Sequence, residues 1–463
     1  MTRGASFRDP GGRVVIRDGR VFREVASPGL ACLDAALNSP AVRAQIERRR
    51  FVRTEILARD ASSATLEHEA IPFPSFPYEW PPEMLYEAGA LTVELALALA
   101  EEGRGLKDAT PFNVLYRGAT PVFVDLLSVE QRDPRDPLWL ARAQFIRTFV
   151  LPLAAEIDFG IPLAQSLIQR DGIEPEAFYR LLWPAARLRP KYLPLVSMPA
   201  WLGARKNPDD ASIYRPHQVD DVEKSAYIFR RGLLAVRKAL DHFAPGGRRV
   251  SRWSDYMAAD CSYTPDQFSE KEAFVAEALR EASPRRVLDV GANTGHFSRM
   301  AARAGASVVA IDGDSAVAGE IWRQAAAEKL DILPLVVNLA QPTPPTGWRN
   351  LECPSFLDRA SSSTGGGFDV VLMLAVVHHM LATERIPLPE IVDLAGDMTT
   401  RFALIEFVDC DDPMFRRLSR GRDELYSHFH ADLFEQCAAA RFDVVRKRAI
   451  TGSKRTLYLL RKK

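Results

Sequence analysis

VLDVGANTGHFS, residues 287–298, decides the fold of the half of the chain in which it lies. An apolar run reaches Asp289, a tight glycine-bearing turn follows, and a helix is predicted to open near Phe297. Gly291 and Gly295 let the backbone bend sharply and approach a ligand closely, which a Cβ obstructs. Seventeen residues beyond Gly295 the next apolar run, SVVAID, ends in Asp312. A carboxylate at the carboxyl edge of a parallel sheet is placed to accept both hydroxyls of a ribose. Turn and acid together mark an adenosine-containing cofactor. A dinucleotide needs GxGxxG, and from Gly291 the required glycine positions hold Asn293 and His296, so the turn is not built to cradle a pyrophosphate.

Outward from this turn, strand-length apolar runs alternate with helix-like stretches: RRVLDV (285–290), SVVAID (307–312), DILPLVVNL (331–339), FDVVLMLAV (368–376) and FALIEFV (402–408). Near-continuous apolar strands separated by helical segments predict a parallel sheet covered on both faces. A helix over Asp432 to Ala440 and two last strands, FDVVRKRAI and RTLYLLRK, complete a Rossmann-like, seven-strand doubly wound domain. The predicted fold class is therefore α/β for residues 245–463. The composition shift at APGGRRVSR (244–252) marks the boundary.

The chain of 463 residues carries 60 Lys and Arg against 60 Asp and Glu, a net charge of zero. That balance removes the long-range attraction to polyanions, so no nucleic-acid partner is expected. Its most apolar stretches (90–100 and 370–377) are too short to span a bilayer, and the polar first residues carry no apolar signal core. A cytoplasmic protein is the expectation. The five cysteines, Cys32, Cys261, Cys353, Cys410 and Cys437, form no CxxC pair, and His428 and His430 have no Cys near them in sequence. No metal held by His and Cys is expected.

The DxGxxxG turn, the acid ending the second strand and NLAQP after the third resemble the class I S-adenosylmethionine-dependent methyltransferases. The resemblance implies that Asp289, Gly291, Asn293 and Gly295 surround the methionine part of that cofactor, with Asp312 at the ribose and Asn338 and Leu339 beside the adenine. GW at 347–348, Glu352, SFLDR (355–359), LAVVHHML (374–381), IEFVDCDDPMFRRL (405–418) and RTLYLLR (455–461) are similar to one bacterial methyltransferase family, the NoeA-like nodulation proteins.

His378 and His379 follow the fourth strand, at the edge where such an enzyme places its acceptor. An imidazole with a pKa near 6.5 takes a proton from a hydroxyl as the methyl group transfers. His378, first beyond the buried strand, is expected to be that base. Glu406 and Asp409 are candidates to orient it or bind the acceptor, and Glu406 is the next candidate base. Asp411 and Asp412 read as solvated. No NPPY or DPPY follows the fourth strand, the motif that resembles enzymes methylating amino groups of bases or Gln. Absence of that motif, with the neutral charge, points to a small-molecule or glycan acceptor; the expected reaction is in-line displacement by an acceptor oxygen or nitrogen, with O-methylation the favoured reading.

Residues 1–244 read as an α+β domain: a hairpin DPGGRVVIRDGRVFREV, one charged helix over Leu33 to Ile56, a proline and aromatic stretch (71–82), then a long helix over Glu83 to Glu101. That stretch is either an acceptor surface or a packed hinge. Asp108, Asn113 and Asp125 in KDATPFN and LYRGATPVFVD resemble the catalytic loop and metal-binding Asp of kinase-like folds. The sequence departs from that pattern, because no Lys precedes Lys107 and Arg23 is a poor substitute at a phosphate clamp. The alternatives to methyl transfer are thus a phosphotransferase centred on Asp108, alone or as a second activity, and a non-catalytic cofactor-binding scaffold.

Overall fold

The computed structural model describes residues 8–203, 218–247 and 263–463. These form two compact units, one from the described residues within Met1–Tyr116, Thr120–Gly246 and Thr346–Cys353, the other from those within Arg117–Ala119, Gly247–Pro345 and Pro354–Lys463. Much of the stretch read as the boundary, 248–252 within 244–252, lies outside the described residues, as does Cys261.

In the first unit, strands β1 (Gly12–Arg17) and β2 (Arg20–Ala26) form the expected hairpin. Asp18 and Gly19 both stand at positive φ, 51° and 75°, the geometry that a two-residue hairpin turn needs and that an Asp-Gly pair tolerates. With β3 (Thr54–Arg59) and β4 (Ser63–His68) they make an antiparallel sheet in the order β1-β2-β4-β3. The single helix expected over Leu33 to Ile56 is two helices, α1 (Leu30–Leu37) and α2 (Pro40–Glu47), followed by the start of β3. Ser39 is the reason for the break: its Oγ accepts from the Val42 backbone N–H, capping a helix whose first residue is Pro40. The long helix α3 (Pro82–Glu101) follows, then short strands β5 (Arg104–Leu106), β6 (Val114–Arg117), β7 (Thr120–Phe123) and β8 (Val129–Gln131), and the amphipathic helix α4 (Val222–Asp241). Residues 71–82 are packed: Trp80 is 1% exposed and donates through Nε1 to Ser75 Oγ at 2.9 Å, which favours the hinge reading over an acceptor surface.

The second unit is built on one seven-stranded sheet in the order β11-β10-β9-β12-β13-β15-β14. Its strands are β9 (Arg286–Val290), β10 (Ser307–Asp312), β11 (Ile332–Val336), β12 (Phe368–Met373), β13 (Thr399–Val408), β14 (Phe442–Ala449) and β15 (Arg455–Lys462). The first five pair in parallel, and β15 enters antiparallel between β13 and β14. Val287, Val308, Ala310, Val370, Leu372 and Leu404 are buried in one apolar cluster with residues of the covering helices. Burying a Val or Leu fully contributes about 1.5 to 3 kcal/mol, so a strand with apolar side chains on both faces is held only where helices cover both. The helices of this unit include α5 (Pro265–Ala282), α6 (His296–Arg303), α7 (Ser315–Glu328), α8 (Val377–Ala382), α9 (Leu388–Met398), α10 (Pro413–Ser419) and α11 (Ala431–Ala438).

Candidate functional site

The turn after β9 has the conformation its glycines permit. Gly291 stands at φ 66°, and a Cβ there would lie 3.2 Å from Val376 Cγ2. Gly295, at φ 75°, caps α6 in the left-handed region, with Ile321 Cγ1 3.0 Å from where its Cβ would be. Asn293 also has positive φ, 48°, and its backbone N–H donates to Asp312 Oδ2 at 3.0 Å. The other carboxylate oxygen of Asp312 accepts from the Asp314 backbone N–H at 3.0 Å. Asp312 thus braces the turn while it faces the space beside it.

That space is a cavity of about 710 Å³ at the carboxyl edge of the sheet. Asp289, Gly291, Asn293, Asp312, Asn338 and Leu339 all line it. Gly295 is not on its wall; it turns the chain into α6 and packs on Ile321. Burial pushes the Asp289 carboxyl up to about 7, although Ser298 Oγ donates to it at 2.5 Å, and pushes Asp312 up to about 6 against the pull of its backbone donors.

The far wall includes Leu374, Val376, His379, Met380, Thr383, Glu384 and Leu418. His379 lines the cavity and His378 does not, which reverses the expected order of the two histidines. His378 is fully buried, neither ring nitrogen has a hydrogen-bond partner, and burial followed by the neighbouring His379 holds its pKa well below the usual value. The reason lies in the chain after β12. The strand ends at Met373, Ala375 takes a left-handed conformation at φ 55°, and α8 begins only at Val377. Proximity in sequence to the strand therefore says nothing about which residue faces outward, and on a helix neighbours diverge by about 100°.

Glu406 is not a free base either. It is fully buried, absent from the cavity wall, and its Oε2 lies 2.7 Å from Lys271 Nζ, while the Tyr263 hydroxyl donates to Oε1 and Arg455 Nη1 stands 3.7 Å away. Arg455 in turn grips Asp412 through Nε at 2.8 Å and Nη2 at 3.2 Å. Asp412, read as solvated, is a buried member of this cluster; Asp411 is at the surface, paired with Arg416 at 2.6 Å. Two cations and two carboxylates balance, the condition under which buried charges are tolerated.

Sequence reasoning missed the residues this cluster presents. Tyr263 and Lys271 line the cavity, with Phe268, His296 and Phe297 beside them. Lys271 Nζ sits 4.8 Å from the Tyr263 ring centre and 5.1 Å from that of Phe297. Nothing local signals this, because a lysine in a charged helix reads as solvated and its partner Glu406 is on a distant strand.

In the first unit the structure brings Arg23 of β2 to Asp125, with Nη1 2.8 Å from Oδ1. Asp108 lies near enough that burial first, then the Asp125 charge, raise its pKa. The Asn113 side-chain amide nitrogen is buried without a hydrogen-bond partner, and the Asn113 carbonyl accepts from the Val124 backbone N–H at 2.9 Å. His430, which has no Cys near it in sequence, has one beside it in space: Cys410 Sγ lies 3.8 Å from its Nδ1.

Residues 263–441 match the family described as a methyltransferase domain. The nodulation protein NoeA of Rhizobium meliloti (strain 1021) is 29% identical over 463 residues, covering 98% of this chain and 94% of that protein. Solved structures similar to this chain include the N-methyltransferase NodS of Bradyrhizobium japonicum WM9, at 14% identity, 43% of this chain, 97% of that chain and a TM-score of 0.32. Magnesium protoporphyrin IX methyltransferase of Synechocystis PCC 6803 with bound S-adenosylhomocysteine is similar at 16% identity, 47% of this chain, 90% of that chain and a TM-score of 0.32. The family match makes residues 263–441 a methyltransferase domain. Among the described residues no helix is long and apolar enough to cross a membrane.

Proposed function

We propose that the second unit methylates an oxygen of a small-molecule or glycan acceptor. The observation that carries this reading is the single cavity wall that joins the glycine turn and Asp312 to His379. The lining suits the cofactor: Asp312 accepts from the Asn293 and Asp314 backbone N–H groups, and its carboxylate oxygens keep acceptor capacity for ribose hydroxyls. Asp289, Asn293 and the backbone of the turn hold the methionine part, and Asn338 and Leu339 flank the adenine. Once bound, S-adenosylmethionine supplies an electrophilic methyl group on a sulfonium.

His379 accepts the proton of the acceptor hydroxyl at a ring nitrogen. Tyr263, Phe268 and Phe297 offer ring faces and edges on which a sugar or ring packs, and burial keeps the Tyr263 phenol protonated as a donor to Glu406. Positioning the two reactants in line supplies most of the rate, since methyl transfer needs little beyond alignment and exclusion of water. The absence of NPPY and the zero net charge support a neutral acceptor over a nucleic acid.

The test is an incubation of the protein with a methyl-labelled donor and, separately, pools of hydroxylated small molecules, glycans and RNA. Label entering the small-molecule or glycan pool is expected, in a base-stable linkage typical of an ether. Label confined to RNA would overturn the acceptor assignment, and base-labile label would overturn the ether.

For the first unit, the Arg23–Asp125 ion pair favours a degenerate relative of a kinase-like site over a working one. A carboxylate neutralised by the protein's own cation is a poor ligand for magnesium.

A further inference from the structure

Three different ligand types meet where β13 leaves the sheet. Asp409 and Cys410 follow the strand, and His430, the residue preceding α11, comes beside them. His430 Nδ1 lies 3.1 Å from Asp409 Oδ2 and 3.8 Å from Cys410 Sγ, and one donor atom from each of the three residues falls within 4.8 Å of the others. The backbone fixes the arrangement: the Cys410 N–H donates to Phe429 O at 3.1 Å, and the Asp409 N–H donates to Lys454 O at 3.0 Å.

From this geometry we infer a binding site for a zinc-class divalent cation, held by Asp409, Cys410 and His430 with water in a fourth position. The spacing fits. Bond lengths of about 2.3 Å to sulfur and 2.0 to 2.2 Å to nitrogen and oxygen, at tetrahedral angles, put S and N about 3.6 Å apart and N and O about 3.3 Å apart. The distances of 3.8 and 3.1 Å need little adjustment to meet these. The donor set selects the metal: a thiolate with an imidazole is soft for calcium or magnesium and suits zinc, as well as cobalt as its probe. Access is open, because Asp409 and Cys410 are partly buried while the His430 side chain is 51% exposed.

The site has a structural consequence. The same loop continues into Asp412, which caps α10 by accepting from the Met414 N–H at 2.8 Å and grips Arg455, and α10 carries Leu418 to the cavity wall. A cation here pins residues 409–412 to the segment before α11 and so fixes the support of that wall. Binding displaces the proton of the thiol and any proton on the imidazole.

The test uses the full chain after dialysis against a chelator, titrated with cobalt and then zinc. One cobalt per chain is expected, with a thiolate-to-cobalt charge-transfer band that zinc abolishes, and a rise in melting temperature. Cys410→Ser should lose the band, and His430→Ala should lose at least the ~10- to 100-fold in affinity that removal of even an outer-shell partner costs. Cys437→Ser, at another partly buried cysteine, should keep both. Circular dichroism and affinity for S-adenosylhomocysteine report whether each variant is folded. Absence of the band at micromolar cobalt, or a band that survives Cys410→Ser, would overturn the site.

Discussion

The Arg23 guanidinium of β2 donates from Nη1 to Asp125 Oδ1 at 2.8 Å, and the two side chains are 7% and 17% exposed. A partly desolvated pair of this kind is costly to break, because the surviving charge has no other partner and the Arg23 Nε already has none. Asp125→Ala is therefore expected to destabilise the protein by about 3 kcal/mol. Magnesium with ATP should leave the melting temperature of the unaltered protein unchanged, since only a ligand of the folded state raises it. A magnesium-dependent shift that Asp125→Ala abolishes would restore the phosphotransferase reading.

Asp312 both braces the glycine turn and faces the cofactor cavity. Its replacement by Ala should weaken binding of S-adenosylmethionine or S-adenosylhomocysteine by about 1.5 to 3 kcal/mol, the range for hydrogen bonds to a charged group. Calorimetry on the folded variant measures it. Unchanged affinity would remove Asp312 from the site.

Asp289 predicts a pH dependence of stability. Its carboxyl is pushed from 3.8 to about 7 by burial, so the folded state holds its proton where the unfolded chain has lost it. The contribution of Asp289 to stability is thus largest below about pH 4 and falls as pH rises to about 7, by roughly 4 kcal/mol in all. Asp289→Asn keeps a polar group beside Ser298 and removes the titration. Urea unfolding at pH 5 and pH 8 should show a smaller loss of stability for this variant than for the parent; an equal loss would mean that Asp289 is ionised throughout.

The Glu406 cluster makes a further prediction. Glu406→Ala leaves Lys271 and Arg455 buried with Asp412 as their remaining carboxylate partner in the cluster, and should cost about 3 to 5 kcal/mol. Loss of methyl transfer in this variant without loss of stability would instead assign Glu406 a direct part in the chemistry.

What the sequence made legible follows from where the information sits. SVVAID reads directly as β10, and the end of that strand places Asp312, because an apolar run and its terminal acid are local features. The glycine turn was legible for the same reason. The Lys271–Glu406–Arg455–Asp412 cluster was not, since it joins α5, β13, the loop before α10 and β15, and no spacing along the chain encodes such a meeting. Cys410 and His430 were missed likewise: their approach depends on two loops joined by main-chain hydrogen bonds. The split between α1 and α2 was, by contrast, written in Asn38, Ser39 and Pro40, a stop and cap inside a pattern read as one helix.

His379 is the residue on which the proposed chemistry turns. His379→Ala should lower the methylation rate by about 10² to 10⁴ and leave cofactor affinity nearly intact, because a base acts on the acceptor and not on the sulfonium. His378→Ala should behave differently. Its ring is fully buried, in contact with the His379 ring at 4.3 Å between centres, so its loss opens a cavity beneath α8 and lowers stability, with a smaller effect on rate than the change at 379. A pH profile separates a proton acceptor from a packing residue: His379→Ala should lose the acidic limb of the rate profile, and His378→Ala should retain it. If both variants keep full activity and the limb, the acceptor is activated elsewhere, and Glu384 on the same cavity wall is the next residue to replace.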